Sequence, residues 1–318
     1  MLDSVVCFTY ADSSYLPHAV ALAESVAFHR SRNRKYIFYL YYTVSDDEKS
    51  MIDDIVESFS GREGFLFESV SVEEELPSEL VASKSYMSNN VYKKIFCFDR
   101  FVSKEKKGIF IDSDVVVLDD VSKLFDYPFS KMICARSEGH VFDKYYRVSD
   151  NILGLSSSRQ YFNSGVLVFN SEKCAKADFL RRAFDFAREK FDEIFLDDQD
   201  ALNFAAGGEW DELPHEWHPR KSNTVITSGG IEKDFTKSEL ASAGLSGLAH
   251  FSGADKPWKS GCKHPHKDDY LKYLSMTLFF DFAEEVRVIH RQDRKLSSST
   301  AKVFKKVQRS LNKRLGRR

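Results

Sequence analysis

The chain has 318 residues, of which 42% are hydrophobic, 14% aromatic and 30% charged, and its formal net charge is −2. This composition is typical of a globular protein with a large core and excludes a largely disordered chain. No run of about 18 apolar residues is present, and the first residues lack the basic start and apolar segment of a signal peptide. We therefore expect a protein that faces the cytosol. Five scattered cysteines without a CxxC pair predict buried core thiols.

Strands and helices alternate through the first hundred residues. A buried strand over Ser4–Tyr10 leads through turn residues into a helix with Pro17 in its first turn. Ser45 and Glu48 form a capping box at the start of a second helix. The alternation predicts an α/β fold with a parallel sheet, whose ligands bind at the carboxyl ends of its strands. The other elements predicted here are strands over Tyr36–Thr43 and Phe65–Val72, and helices ending near Phe59 and running from Ser88 to about Val102.

Two acids, Asp112 and Asp114, interrupt a hydrophobic run that extends from Gly108 to Leu118. The pattern indicates a buried strand that surfaces at Asp112 and resumes after Asp114. In an extended backbone the two carboxylates point to the same side while Ser113 faces away, so both can reach one cation. Hard carboxylate oxygens suit Mg²⁺ or Mn²⁺. Two solvated acids in a turn are the alternative, and the apolar flanks favour a site.

The pattern is less regular beyond Leu118. Acids gather at an apparent helix start over residues 197–203, where the helix dipole favours them, although capping would explain only one or two of them. The stretches Glu138–Ser158 and Trp210–Thr227 have no clear period. The predicted elements of this part are a helical turn over Ser122–Phe125, strands over Lys131–Arg136 and Gly165–Asn170, and a helix over Glu172–Lys190.

His250 and Lys256 stand close together in the sequence Ala249–Trp258. Each alone is more often a structural or solvated residue than a functional one. Together they favour function, because an imidazole can complete a metal site of two carboxylates and a lysine can neutralise a phosphate. Gly253 between them permits close backbone approach to a ligand.

Four separated motifs, in this order, resemble the retaining glycosyltransferases of family 8, which have the GT-A fold and include glycogenin and bacterial lipopolysaccharide galactosyl- and glucosyltransferases. The resemblance covers about Val5–Tyr273. The motifs are the opening strand with Ala11–Tyr15, the Asp-x-Asp segment, Tyr161–Leu167, and Asp198–Asp200 with His250–Trp258. It implies a Rossmann-like, mostly parallel sheet flanked by helices. It also implies a catalytic domain over residues 1–286, with a nucleotide-sugar half over about 1–120 and an acceptor and metal half over about 121–286.

The resemblance also implies roles for individual residues. Asp112, Asp114 and His250 would bind Mn²⁺, or Mg²⁺, between the two phosphates of a UDP-sugar. The catalytic residues would be Asp198, Gln199 and Lys256, with Gln199 near the anomeric carbon and Asp198 on the donor sugar. The rest of the donor site would comprise Tyr10, Asp12 and Tyr15 at the uracil end, Gly253 and Lys256 at the diphosphate, Asn163 at the sugar, and Lys94 and Ser113.

Two positions depart from the family pattern. Ser14 stands where the family often has asparagine, and Lys94 stands where an arginine commonly reaches the donor, so a point charge replaces a bidentate fork. The expected reaction moves glucose or galactose from a UDP-sugar to a saccharide hydroxyl, on lipopolysaccharide or another cell-surface glycan. Because Gln199 is a neutral amide, we favour attack from the leaving-group face over a covalent intermediate.

Two other functions fit parts of the sequence. Haloacid-dehalogenase-like phosphatases also have a strand followed by Asp-x-Asp, but their motif normally follows the first strand, and His250 with Lys256 has no place in their mechanism. A non-catalytic sugar-nucleotide-binding or glycan-binding module would typically have lost one of Asp112, Asp114 and His250, and all three are present.

The C-terminal residues 287–318 form a strongly basic segment. They hold twelve lysines and arginines against one acid, Asp293, a net charge of +11 that leaves −13 on residues 1–286. Apolar residues from Val303 to Leu315 recur at spacings of three and four, with basic residues between them. We predict an amphipathic helix that holds the enzyme on the anionic inner face of the cell membrane, near a lipid-linked acceptor. Nucleic acid is a weaker alternative, because the segment has one aromatic and no reading motif, and a solvated tail is another.

Overall fold

The structure is a computed structural model that describes residues 4–81, 91–138, 152–156, 160–214, 217, 224–226, 232–234, 247–253 and 255–292. Within these residues, seven strands form a central sheet in the order β3-β2-β1-β4-β7-β6-β8. All run in one direction except β7, which is antiparallel to both neighbours. The strands are β1 (Val5–Asp12), β2 (Tyr36–Thr43), β3 (Phe65–Ser71), β4 (Lys107–Ile111), β6 (Ile133–Ser137), β7 (Phe162–Asn170) and β8 (Trp210–Glu212).

Helices cover the sheet, so the predicted α/β fold is confirmed. In β1 every residue from Val5 to Ala11 is buried, as expected for a parallel strand with both faces covered. The predicted capping box of Ser45 and Glu48 is present. The helices are α1 (Leu16–His29), α2 (Lys49–Phe59), α3 (Ser78–Val81), α4 (Lys93–Lys104), α5 (Ser122–Phe125), α6 (Ser171–Lys176), α7 (Phe179–Glu189), α8 (Asp197–Ala206), α9 (Lys267–Leu274) and α10 over 280–292.

A second, two-stranded sheet lies beside the first. It pairs β5 (Val115–Val117) with β11 (Leu248–His250) in antiparallel register, so that His250 lies opposite Val115. In a further two-stranded sheet, β9 (Thr224–Ile226) pairs with β10 (Glu232–Asp234) in antiparallel register. The strand at His250 and its pairing were not predicted, because three residues carry too little periodicity to identify a strand.

The segment from Asp112 to Asp114 is a turn, which corrects the prediction of an extended backbone there. The Val115 N–H donates to the Asp112 carbonyl at 3.1 Å, and the chain after the turn enters the second sheet instead of continuing β4. The two carboxylates therefore converge because a turn folds them together, and not because alternate residues of an extended strand share one face.

Other predicted boundaries also differ from the structure. The helix predicted over Glu172–Lys190 is two helices, α6 and α7, because Asp178 adopts a left-handed conformation with φ 48° that an α-helix cannot include. The helix predicted from Ser88 begins at Lys93, and residues 82–90 lie outside the described residues. β7 starts at Phe162, three residues before the predicted Gly165.

The described residues include no helix long and apolar enough to cross a membrane. All five cysteines are free and buried, as predicted. Most of Glu138–Ser158 and half of Trp210–Thr227 lie outside the described residues, and so do residues 293–318. The predicted boundary after residue 286 falls within α10.

Candidate active site

The side chains of Asp112, Asp114 and His250 converge on one point. Asp112 follows the carboxyl end of β4, Asp114 ends the turn, and β11 brings His250 against them. One potential ligand atom from each residue lies within 4.8 Å of the others. Two carboxylates and an imidazole at these separations suit a divalent cation.

Gly165 makes this convergence sterically possible. It lies on β7 and its carbonyl accepts the Asp112 N–H at 2.8 Å. A Cβ atom at this position would lie 2.5 Å from His250 Cε1 and 3.0 Å from an Asp112 carboxylate oxygen. The motif over Tyr161–Leu167 contains this glycine. Its steric role depends on the pairing of β4 with β7, which no local sequence pattern reveals.

The two carboxylates differ in their electrostatic environment. Burial alone would raise the pKa of Asp114, but His250 Nε2 at 3.1 Å and the ammonium of Lys256 hold it well below its usual value. Burial raises the pKa of Asp112, and the nearby Asp114 charge adds to this effect against the opposing Lys94. Asp114 is therefore the firmly ionised member of the pair.

Lys94 joins the carboxylate cluster to the start of α8. Its Nζ lies 2.9 Å from Asp112 Oδ1 and 2.9 Å from Asp198 Oδ2. Burial would lower the pKa of this lysine, but the two carboxylates raise it above its usual value. Burial raises the pKa of Asp198 against the effect of Lys94. Lys94, predicted as a donor contact, thus holds the two acids together.

The Gln199 side chain is fixed at both ends of its amide. Its Oε1 accepts hydrogen bonds from the Ser164 N–H at 3.1 Å and from Asn163 Nδ2 at 3.2 Å. Its Nε2 donates to the Tyr161 hydroxyl at 3.0 Å, which donates to Asp200 Oδ1 at 2.6 Å. This network connects the motif on β7 to the motif on α8.

The acids at the start of α8 have separate partners. Asp200 Oδ2 accepts the backbone N–H groups of Phe195 and Leu196 at 2.7 and 2.8 Å, so capping explains this acid. Asp197 Oδ1 accepts the Tyr92 hydroxyl at 3.2 Å. Asp198 faces Lys94 and also accepts the Ser164 hydroxyl at 3.1 Å.

Sequence reasoning missed Glu138, a buried acid at the end of β6. Its Oε2 accepts from Asn163 Nδ2 at 3.1 Å, which places a carboxylate beside the Asn163 and Gln199 amides. The sequence showed only an acid at the start of a stretch without periodicity. The pairing of its N–H with the Tyr161 carbonyl at 2.8 Å brings it to the site, and that long-range contact has no local signal.

Two of the remaining predicted site residues, Asp12 and Tyr15, lie where the chain leaves β1. Asp12 Oδ1 accepts the Ser14 and Tyr15 N–H groups at 3.1 and 3.3 Å, which caps the 3-10 turn after β1. The Lys256 ammonium lies 6.0 Å from the centroid of the Tyr15 ring. Tyr10 and Ser113 are buried, and Gly253 has φ 77°, a conformation that favours glycine.

The model of the family described as Glycosyl transferase family 8 matches residues 6–262 of the chain. The chain belongs to glycosyltransferase family 8. It is therefore a glycosyltransferase, and membership decides against the phosphatase and the non-catalytic alternatives. The match includes all the predicted site residues, from Tyr10 to Lys256.

Two curated relatives come from bacteria. General stress protein A of Bacillus subtilis (strain 168) is 28% identical over 276 residues, covering 84% of this chain and 92% of the relative. Lipopolysaccharide 1,2-glucosyltransferase of Escherichia coli (strain K12) is 29% identical over 199 residues, covering 60% of this chain and 54% of the relative.

Solved structures show the same fold. The galactosyltransferase LgtC, in complex with donor and acceptor sugar analogues, aligns with a TM-score of 0.66 at 17% identity, over 86% of this chain and 96% of LgtC. The bifunctional glycosyltransferase WbbM aligns with a TM-score of 0.68 at 19% identity, over 89% of this chain and 52% of WbbM. These likenesses support the predicted GT-A fold.

Proposed function

We propose that this glycosyltransferase is a metal-dependent, retaining enzyme that moves glucose or galactose from a UDP-sugar to a hydroxyl of a saccharide acceptor. The observation that carries the proposal is the cluster of Asp112, Asp114 and His250, whose ligand atoms lie within 4.8 Å of one another, beside a buried lysine. The similarity to a lipopolysaccharide glucosyltransferase supports a hexose as the donor sugar and a cell-surface glycan as the acceptor.

The cluster fits a divalent metal on two grounds. Its donors are two carboxylates and an imidazole, which suit Mn²⁺ or Mg²⁺, and Gly165 has no side chain that would push His250 and Asp112 apart. Asp112, Asp114 and His250 would hold the ion. When bound, it would supply positive charge to the diphosphate of the donor.

Lys256 is the residue of this chain that would stabilise the leaving diphosphate. Burial alone would lower its pKa, but Asp114 and Tyr15 raise it above its usual value, so the group is a cation at neutral pH. The Lys256 ammonium pairs with the Asp114 carboxylate. Gly253 lies three residues before Lys256, and Ser113 directly precedes Asp114. A fixed positive charge here stabilises negative charge that develops as the sugar–phosphate bond breaks.

Gln199 is better suited to positioning than to nucleophilic attack. Its carbonyl oxygen already accepts two hydrogen bonds, and its amide nitrogen donates a third. This supports same-face attack by the acceptor hydroxyl, with a leaving phosphate oxygen as the base. Asn163 and Asp198, on the same network, would bind the donor sugar, and Asp12, Tyr15 and Tyr10 the uridine.

The proposal is tested by UDP release from a panel of UDP-sugars after removal of metal, with and without added Mn²⁺ or Mg²⁺. The panel includes UDP-glucose, UDP-galactose and UDP-galacturonate, because several relatives are named probable galacturonosyltransferase-like proteins. We expect metal-dependent UDP release from one hexose donor. Metal-independent release, or no release with any donor, would contradict the proposal.

Asp114→Asn tests the metal ligands in the same assay. The amide keeps the size of the side chain but removes the charge, so we expect loss of transfer and of metal-dependent UDP binding in a folded protein. Asp126→Asn, an exposed acid on the surface, serves as the matched control. Unchanged Mn²⁺–UDP affinity of Asp114→Asn in calorimetry would refute the assignment.

A further inference from the structure

A basic groove lies between α9 and α10, outside the donor site. It encloses a cavity of about 460 Å³, and its lining residues include four permanent cations against a single carboxylate, that of Asp268. Those four cations are Lys267, Lys272, Arg287 and Arg291.

Several groove side chains are held in place by neutral groups. Arg287 Nη2 donates to Ser275 Oγ at 2.6 Å and to the Leu271 carbonyl at 3.3 Å. Lys267 Nζ donates to the Cys262 carbonyl at 3.0 Å. These oxygens hold the two side chains in place without neutralising their charge. Among the described contacts, Arg287 also pairs with the carboxylate of Glu284, and Lys267 pairs with none. The groove therefore keeps a net positive charge.

We propose that this groove binds the phosphate of an anionic phospholipid headgroup. Arginine presents a planar fork that matches phosphate oxygens, and lysine adds a strongly hydrated point charge. The cavity is larger than a single ion needs and has room for a phosphate ester with its alcohol. None of the lining residues belongs to the donor site, so the groove can be filled while a sugar donor is bound.

The neighbouring apolar residues indicate that the phosphate is carried by a lipid. Met276 and Leu278 follow Ser275 in the connection between the two helices, and Phe280 is the first residue of α10. Their exposures are 44%, 43% and 50%. Exposed apolar side chains beside cations suit the boundary between headgroups and acyl chains. A soluble phosphate ester would gain nothing from them.

The charge of the C-terminal residues argues against the chain itself as the occupant. Residues 293–318 contain ten lysines and arginines and one acid, Asp293. A segment of this charge is repelled by a basic groove, whereas both are attracted to an anionic surface.

The test compares two double variants of the full chain. Lys272→Gln with Arg291→Gln neutralises two groove cations while keeping long side chains, and Lys123→Gln with Lys176→Gln makes the same charge change on α5 and α6. Sedimentation with vesicles of phosphatidylglycerol and phosphatidylcholine gives the affinity. Since each basic residue near an anionic surface contributes about fivefold, we expect the groove variant to bind roughly tenfold or more weakly and the control to bind like wild type.

Calorimetry with glycerol 3-phosphate distinguishes the two sources of phosphate. Equal vesicle affinity of the groove and control variants overturns the proposed lipid site. If the groove variant loses glycerol 3-phosphate binding but keeps its vesicle affinity, the ligand is a soluble phosphate ester and the lipid source is wrong. UDP release without vesicles should be the same in both variants, because the groove is separate from the donor site.

Discussion

Lys256 has its ammonium group beside Asp114 and is largely removed from solvent. If it stabilises the leaving diphosphate, Lys256→Ala should raise the barrier by about 2–4 kcal/mol, as for the loss of one oxyanion-type donor. Turnover should fall accordingly, while acceptor KM changes little. Lys259→Ala, an exposed lysine three residues along, is the control. Near-normal turnover of Lys256→Ala would make this residue a structural partner of Asp114 only.

Gly165 offers a second prediction for a single residue. In Gly165→Ala the new methyl group would lie 2.5 Å from His250 Cε1, so the imidazole or β7 must shift. We expect a loss of about 1–3 kcal/mol of unfolding free energy from overpacking, together with weaker Mn²⁺ binding. Urea unfolding without metal and calorimetry with Mn²⁺ measure the two effects separately. Wild-type Mn²⁺ affinity in this variant would show that the space beside the cluster is not needed.

His18 links α1 to α9 and to the segment that carries Lys256. Its ring stacks on Trp258 with centroids 3.5 Å apart, and its Nδ1 lies 2.6 Å from the Tyr270 hydroxyl. Burial lowers the pKa of His18 from 6.5 to about 3. The folded protein therefore keeps this ring neutral where the unfolded chain binds a proton.

The stability contribution of His18 depends on pH in a defined direction. Because the folded pKa is the lower one, the unfolding free energy should fall as the pH drops below about 6.5 and stop falling near pH 3. At pH 5 the loss from this group is about 2 kcal/mol. In His18→Gln this contribution disappears. The unfolding free energy, measured with urea at several pH values between 5 and 8, should therefore depend less steeply on pH than in the wild type. Parallel slopes would show that His18 titrates normally.

The elements with a continuous local pattern could be predicted from the sequence. The limits of β2 and α5 match the prediction. The break at Asp178 was missed because an acid is a common helix-surface residue and its left-handed backbone has no sequence signal. β5 and β11 depend on pairing between segments more than 100 residues apart, which periodicity cannot reveal.

At the scale of the whole molecule, the residues of the candidate site could be predicted from local motifs, whereas the contacts between distant segments could not. The sequence motifs identified the residues that converge at Asp112, Asp114 and His250, because their chemistry is unusual for buried segments. The motifs could not give the network of Glu138, Asn163 and Gln199, since it joins β6, β7 and α8 through side-chain contacts.

The last prediction concerns the basic C-terminal segment and its predicted role at the membrane. α10 spans 280–292, and its Ala283, Val286 and His290 are buried, so a truncation after residue 285 would remove part of the core. A chain ending at Gln292 removes ten lysines and arginines and keeps both the fold and the groove. We expect this chain to sediment less with anionic vesicles than the full chain, and the difference to shrink at high salt because surface charges are then screened.

Circular dichroism and UDP release control for folding. Equal sedimentation of both chains, or no preference for anionic over neutral lipid, would contradict the membrane role of residues 293–318 and leave the glycosyltransferase assignment intact.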